Sequence, residues 1–287
     1  MISRSQTLKA IFERRDATIF PGTPNALFAN VIESLGYECA YVTGAGIANM
    51  YLGVPDIGLV TLSELAEHVR AISDAVDIPV LVDGDTGFGN AINAQRTVKM
   101  LERAGAAGIQ IEDQVFPKKC GHFNGKAIIP LPEMIQKIKA SVDARTDGAF
   151  QIVARTDAIA IEGIDAAIDR AHAFVEAGAD VTFVEAPTTI ADMARIAREI
   201  AVPQIANVVH GGRTPPLPRD QLAAMGFGAT LYANAALQSA LHSVTEVLAS
   251  LQEHGSLDEV VDRLASFDTR QAAVRKDKFD HFEQLYS

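Results

Sequence analysis

Cysteine is nearly absent, with Cys39 and Cys120 the two in a chain of 287 residues. Two thiols cannot build a disulfide framework, which favours a reducing compartment. Positive charge is also short: 25 Lys and Arg stand against 36 Asp and Glu, for a formal net charge of -11. That balance opposes sequence-independent attraction to nucleic acid phosphates or to an anionic membrane face. Charges interrupt every apolar segment, so no run approaches the ~20 apolar residues that span a bilayer. The opening MISRSQTLKAIFERRD holds no apolar stretch long enough for a signal peptide. Solenoid repeats, low-complexity tracts and Ser/Pro linkers are missing too, so a single domain over residues 1–287 is expected. The expected setting is the cytoplasm, with no nucleic acid or membrane partner.

What is present is a recurring phrase in which an amphipathic helix is followed by a glycine and a short β-branched run. Gly36 follows NALFANVIESL, Gly105 follows AQRTVKMLERA, Gly178 follows DRAHAFVEA and Gly226 follows RDQLAAM. Each stands where a helix C-cap calls for a left-handed residue. Eight candidate strands result: ATIFPGT, CAYVTGAG, PVLVDGDTG, GIQIEDQ, FQIVARTD, VTFVEAP, PQIANVV and ATLYANA. Their spacing leaves room for one helix between neighbours, and Pro79 and Pro203 fall at strand beginnings, where a missing donor does least harm. Eight apolar strands alternating with helices predict a (β/α)₈ barrel of TIM type. Past Tyr232 the barrel count is complete. The remaining helical pattern and charged tail, about 234–287, are expected to cover the barrel or to pack against another subunit.

Nearly every strand begins apolar and ends in groups able to hold a ligand: Thr43, Asp83 and Asp85, Glu112 and Asp113, Arg155 and Asp157, Glu185, Asn207. A barrel gathers those ends onto its C-terminal face, where barrel enzymes build their sites. Asp83 and Asp85 are two apart, so on a strand they would share one face and converge on one cation. Mg²⁺ commonly takes one or two carboxylates and keeps other positions for water and substrate oxygens, which suits this pair. Glu112 and Glu185 would hold metal-bound waters. The alternative for the pair is a DGD turn whose aspartates cap the next helix. Arg155 offers a planar fork for a carboxylate; its alternative is an ion pair with Asp157 or Glu185.

The segment EDQVFPKKCGHFNGK packs Lys118, Lys119, Cys120 and His122 into a loop with Pro117, Gly121 and Gly125. Neighbouring cations would favour a Cys120 thiolate and make it an acid/base near neutrality. Cys39, at the start of an apolar strand, reads as a small buried hydrophobe. His68, His172, His242 and His254 lie on helical patterns and read as surface or core residues. Residues 43–46, TGAG, would bring backbone N–H groups toward an anion.

VDGDTGFGN, IEDQVFPKKCGH, ARTDA, the VEAP turn and ANVVHGGRTP, in that order, resemble the isocitrate lyase and phosphoenolpyruvate mutase superfamily. The KKCGH loop is similar to that of the group containing 2-methylisocitrate lyase, 2,3-dimethylmalate lyase, oxaloacetate hydrolase and carboxyphosphonoenolpyruvate mutase. The resemblance implies that Asp85 binds Mg²⁺, with Mn²⁺ a substitute, and that Asp56, Asp83, Glu112 and Glu185 hold it directly or through water. It implies that Tyr41, Thr43, Gly44, Ala45 and Gly46 cradle a 2-oxo acid, with Arg155 on a carboxylate. Cys120 becomes the acid/base, supported by Lys119 and His122, and Tyr41 the base that takes the substrate hydroxyl proton. It also implies a homotetramer in which a C-terminal helix crosses to a neighbour. The lyases usually carry a glutamate where this chain has His210, and many carry Pro-Leu-Ser or Thr where it has Ala233, Asn234 and Ala235. Both positions face the variable end of the substrate in the family.

The expected activity is Mg²⁺-dependent carbon–carbon cleavage of a small 2-hydroxy di- or tricarboxylate to pyruvate or a related 2-oxo acid plus a second acid. Oxaloacetate hydrolysis, carbon–phosphorus chemistry and a non-catalytic barrel are the alternatives.

Overall fold

The structure, a computed structural model, describes residues 2–119 and 125–287. The chain opens with α1 (Arg4–Arg14), whose Ser3 and Gln6 form a capping box. There follow β1 (Thr18–Thr23), α2 (Ala26–Ser34), β2 (Ala40–Val42), the short α3 (Gly44–Ile47) and a π-helical turn over Ala48–Leu52. Next come α4 (Leu62–Ala75), β3 (Val80–Asp83), α5 (Ala91–Arg103), β4 (Gly108–Glu112), α6 (Leu131–Ala144) and β5 (Gln151–Thr156). Then α7 (Ile159–Glu162), α8 (Ile164–Glu176), β6 (Val181–Val184), α9 (Ile190–Glu199), β7 (Ile205–Asn207), α10 (Arg219–Met225) and β8 (Ala229–Tyr232) complete the barrel. Past it lie α11 (Ala235–His254), a 3₁₀ turn, α12 (Phe267–Ala273) and α13 (Lys276–Tyr286).

All strand pairs are parallel, in the order β6-β5-β4-β3-β2-β1-β8-β7. A bridge between Thr182 and Gln204 joins the two ends, with Thr182 N–H donating to the Pro203 carbonyl at 3.1 Å. The eight-stranded TIM-type barrel is therefore as expected, and the helix-ending glycines take left-handed φ values: Gly36 81°, Gly105 98°, Gly178 104° and Gly226 96°.

α1 lies outside the helix–glycine–strand phrase and is an element that the phrase does not predict. Its Leu8, Ile11 and Phe12 enter the barrel interior beside Phe20, Tyr41, Leu81, Val153 and Phe183. A Cβ on Gly108, at the start of β4, would meet Leu8 at 3.1 Å, and one on Gly228, just before β8, would meet the Phe12 carbonyl at 3.1 Å. The helix thus plugs the N-terminal end and leaves the C-terminal end to the site. Outside the strands, apolar faces of α4, α5 and α6 pack in a second cluster around Leu65, Val69, Val98, Leu101, Met134 and Ile138.

Two strands stop earlier than the apolar pattern suggests. β2 ends at Val42, because Thr43 caps α3 by accepting the Gly46 N–H at 3.2 Å. β3 ends at Asp83, and Asp85 turns left-handed with φ 46°. The helical extension beyond β8 is present, and none of the residues of α11 is buried.

Candidate active site

The strand ends converge on a small cavity lined by Tyr41, Thr43, Ala45, Asp56, Asp83, Lys118, Lys119, Arg155, Phe183, Glu185, Asn207 and Asn234, among others. The two aspartates of the DGD segment do meet, though by a route other than strand alternation. Asp83 is the last strand residue, and the left-handed Asp85 folds back so that its N–H donates to Asp83 Oδ1 at 3.1 Å. Gly44 faces both carboxylates: an added Cβ would lie 3.2 Å from Asp83 Oδ2 and 3.3 Å from Asp85 Oδ1. That position tolerates no side chain without moving the acids.

Lys118 is the residue that sequence reasoning missed. Its ammonium is buried between Asp56 Oδ1 at 2.6 Å and Asp85 Oδ1 at 2.8 Å. Nothing in the Lys-Lys pair signals which lysine turns inward. Lys119 instead sends its Nζ to the Gly125 carbonyl at 2.9 Å while its backbone N–H donates to Gln114. Burial alone would depress the Lys118 pKa, but Asp85, Asp83, Asp56 and Glu112 outweigh it and hold it well above the usual lysine value. Conversely, burial pushes Asp85 up to about 6, against the pull of Lys118 and with the repulsion of Asp83 and Asp56 behind it. Glu112 is likewise driven well above its usual range, first by burial, against the attraction of Arg155.

Arg155 uses its fork inside the protein. Its Nε and Nη2 donate to Asp157 at 3.0 and 3.2 Å, Nη1 faces Glu112 Oε2 at 3.4 Å, and its guanidinium lies over the Phe183 ring. The bidentate edge is thus spent on Asp157, while Arg155 also lines the cavity. Asp157 also takes the buried Lys126 ammonium at 2.7 Å. Asp113 accepts from Thr156, Arg170 and the Asp157 N–H. It belongs to the wall beneath Arg155 and not to the cavity itself. Glu185 accepts from Asn207 at 3.3 and 3.4 Å and stands 4.0 Å from Arg155.

Tyr41, the expected base, is a buried phenol. Its hydroxyl donates to Gln110 Oε1 at 2.9 Å, and burial, with Asp83 nearby, raises its pKa well above the usual value. A phenol so placed gives up its proton less readily than a free one. Gln110 passes the contact on, its Nε2 donating to Asp83 Oδ1 at 3.3 Å. Thr43 reaches Asn234 Oδ1 at 3.3 Å. His210 is exposed and does not border the central cavity. It lines a neighbouring one with Thr214, Tyr232 and Asn234, and Val209 and Asn234 stand between the two. Cys120 and His122 lie outside the described residues. Cys39 is fully buried, and burial pushes its thiol pKa up, as suits a small core residue.

The donors suit a hard divalent cation. Asp56, Asp85, Glu112, Asp157 and Glu185 lie within 4.0 Å of three buried cations, Lys118, Lys126 and Arg155, and Asp83 adds its charge near Lys118. Glu112 Oε1 is buried with no hydrogen-bond partner among the described residues. An oxygen-ligated cation would relieve both the excess charge and that orphan acceptor. Among the described residues no group of three or more Asp, Glu, His or Cys side chains is placed to hold a metal ion by itself, and Mg²⁺ commonly takes only one or two protein carboxylates, with water and substrate oxygens in its other positions.

Known proteins are similar to this chain over most of its length. The chain is 40% identical over 280 residues to a 2,3-dimethylmalate lyase of Eubacterium barkeri, covering 98% of this chain and 97% of that protein. It is 45% identical over 257 residues to a 2-methylisocitrate lyase of Aeropyrum pernix, covering 90% and 82%. A crystal structure of 2,3-dimethylmalate lyase, described as a member of the PEP mutase/isocitrate lyase superfamily, superposes with a TM-score of 0.94 at 30% identity, over 100% of this chain and 96% of that one. The model of the phosphoenolpyruvate phosphomutase family matches residues 8–252, and the chain belongs to that family, within the superfamily of its lyase relatives.

Proposed function

We propose that this protein is a Mg²⁺-dependent carbon–carbon lyase that cleaves a small 2-hydroxy di- or tricarboxylate into pyruvate or a close 2-oxo acid and a second carboxylic acid. The observation that carries the reading is the buried excess of carboxylates around Asp85 with the orphan Glu112 Oε1 among them. Asp85 and Asp83 would hold the cation, with Asp56, Glu112 and Glu185 reaching it directly or through water. Bound there, Mg²⁺ supplies Lewis-acid polarisation of the substrate's hydroxyl and carboxylate oxygens.

The chain's own groups do the rest. Arg155, with Thr43, Gly44, Ala45 and Gly46, receives the carboxylate of the fragment that becomes the 2-oxo acid. Tyr41 stays protonated and fixes the Gln110 amide so that its N–H points at Asp83. Removal of the substrate hydroxyl proton then falls to a carboxylate of the cluster. As the C2–C3 bond breaks, its electron pair passes to the carbon that carries the leaving carboxylate, and the Cys120 thiol protonates that carbon, with Lys119 and His122 supporting the thiolate left behind. Asn207 and Asn234 orient the substrate between Glu185 and Thr43.

The His210 cavity adjoins the central one at Asn234 and Val209. It supports a leaving half more polar than that of 2,3-dimethylmalate, because histidine replaces a fixed negative charge with a group that is neutral or cationic. The test is a panel of 2-methylisocitrate, 2,3-dimethylmalate, isocitrate, oxaloacetate and 2-alkylmalates, assayed for 2-oxo acid release with Mg²⁺ and after exhaustive chelation. We expect a 2-hydroxy tricarboxylate or polar dicarboxylate to lead, no turnover after chelation, and a changed ranking in His210→Glu. Oxalate plus acetate as the products of the best substrate, or full turnover without metal, would sink the reading. Preference for dimethylmalate would remove only the specificity.

A further inference from the structure

Lys137 is a buried cation that the reaction above does not use. It lies in the middle of α6, outside the barrel wall, at 3% exposure. A lysine on an outer helix ordinarily lays its stem along the surface and keeps the ammonium in water. Here the Nζ is drawn inward and donates to the backbone carbonyl of Thr86 at 3.1 Å. Burial pulls its pKa down against the attraction of Glu133, Asp113 and Glu112, and its hydrogen bond goes to a backbone carbonyl and to none of those carboxylates, so its placement calls for a reason beyond packing.

The segment it reaches is the turn between β3 and α5. Four residues there have left-handed φ values: Asp85 at 46°, Gly87 at 79°, Phe88 at 59° and Gly89 at 143°. Two of them are not glycine. Such a backbone persists only where its surroundings over-determine it. Three successive carbonyls of the turn are each held from a different element. Asp85 O accepts the Glu112 N–H of β4 at 2.9 Å, Thr86 O accepts Lys137 Nζ of α6, and Gly87 O accepts Thr97 Oγ1 of α5 at 3.1 Å. Lys137 supplies the middle clamp and the one that carries charge.

We propose that Lys137 is a positioning residue for the divalent cation, holding the left-handed turn at Thr86 so that the Asp85 carboxylate meets the ion. The inference rests on the reading of Asp85 as a metal ligand. It differs from a purely structural role in what it moves. Loss of packing lowers the melting temperature, whereas loss of the clamp lowers metal affinity in a protein that is still folded.

The experiment compares the full-length wild type with Lys137→Met and Lys137→Arg by titration with Mn²⁺ in the absence of substrate. Binding is followed by calorimetry and by the paramagnetic resonance signal of free Mn²⁺, with melting curves recorded alongside. We expect Lys137→Met to weaken the Mn²⁺ Kd by about 10-fold or more, the scale of loss on removing an outer support of a metal ligand, and Lys137→Arg to recover most of it. The Mg²⁺ concentration for half-maximal activity should move in parallel, with kcat at saturating metal little changed. Lys137→Gln, which keeps most of the stem, provides the same comparison if the methionine variant does not fold. A wild-type Kd in these variants, whatever their melting temperatures, overturns the positioning role. A wild type that binds no Mn²⁺ removes the metal reading itself and the inference with it.

Discussion

At the scale of single residues, Asp85 shows what the site costs the fold. Burial, with Asp83 and Asp56 behind it, pushes its pKa up to about 6 even against the pull of Lys118, so ionisation there is costly. Its φ of 46° is one that asparagine adopts readily. Asp85→Asn should therefore keep the turn, remove one of the crowded charges and stabilise the metal-free protein. A gain of about 1 kcal/mol corresponds to a rise of ~2–4 °C in Tm for a chain of this size class. The same variant should bind no divalent ion and turn over no substrate. Calorimetric melting with and without Mg²⁺ checks both halves, and a variant less stable than the metal-free wild type would show that Lys118 depends on Asp85 more than the cluster gains from losing it.

At the scale of elements, the legible part was the strand. Apolar runs ending in Asp83, Glu112, Arg155, Glu185 and Asn207 pointed to a barrel mouth, because strand burial and mouth polarity are both written in linear order. The turns after the strands were not legible in the same way. Asp83 and Asp85 meet through a left-handed residue and not through pleat alternation, and no pattern announced that Asp85 would take that conformation. Lys118 and Lys119 are adjacent and alike in sequence, yet one is buried among carboxylates and the other reaches a loop carbonyl. Gln110 and Lys137 sit inside regular patterns, where a polar residue gives no sign of the contact it makes.

Among elements, Glu33 on α2 ties distant pieces together. It accepts the N–H groups of Asp77 and Ile78 at 2.6 and 3.0 Å and pairs with Arg275 between α12 and α13. Burial alone would raise its pKa, but the two backbone donors and Arg275 prevail and hold it below the usual glutamate value. A lowered folded pKa means stability that is present above the unfolded pKa and lost as pH falls through the folded one. The C-terminal helices should therefore loosen from α2 in mild acid, below the ordinary glutamate range, before the barrel unfolds. Hydrogen-exchange protection factors across 267–286, taken relative to the intrinsic exchange rate at each pH, should fall as pH drops from about 4.5 toward about 3, and Glu33→Gln should show the lower protection at neutral pH. Equal protection in both proteins at neutral pH would mean that other contacts hold the tail.

On the scale of the whole molecule, α11 is out of place in a monomer. Leu241, Val244, Leu248 and Leu251 are 65%, 54%, 57% and 37% exposed. Their spacing of three, four and three residues puts them on one stripe of the helix. A cavity runs alongside, lined by Met50, Val54 and Pro55 of the π-helical turn and its exit together with Leu237, Leu241 and Val244 of α11. A contiguous apolar surface of this kind is a mark of association. Asn234, at the N-cap position of the same helix, borders both this cavity and the central one, so a neighbour seated on the stripe would also steady one wall of the site. The occupant that fits the family resemblance is a neighbouring copy of the chain, with the C-terminal helices exchanged in a homotetramer. Size-exclusion chromatography with light scattering should show four protomers for the wild type. Leu241→Glu combined with Leu248→Glu should yield a smaller species, because a carboxylate buried in an apolar seam without a partner is strongly disfavoured. That species should keep the circular dichroism of a folded barrel while kcat/KM falls. A wild type that runs as a monomer at assay concentrations, or a double variant that stays tetrameric, would mean that the stripe serves no contact between copies.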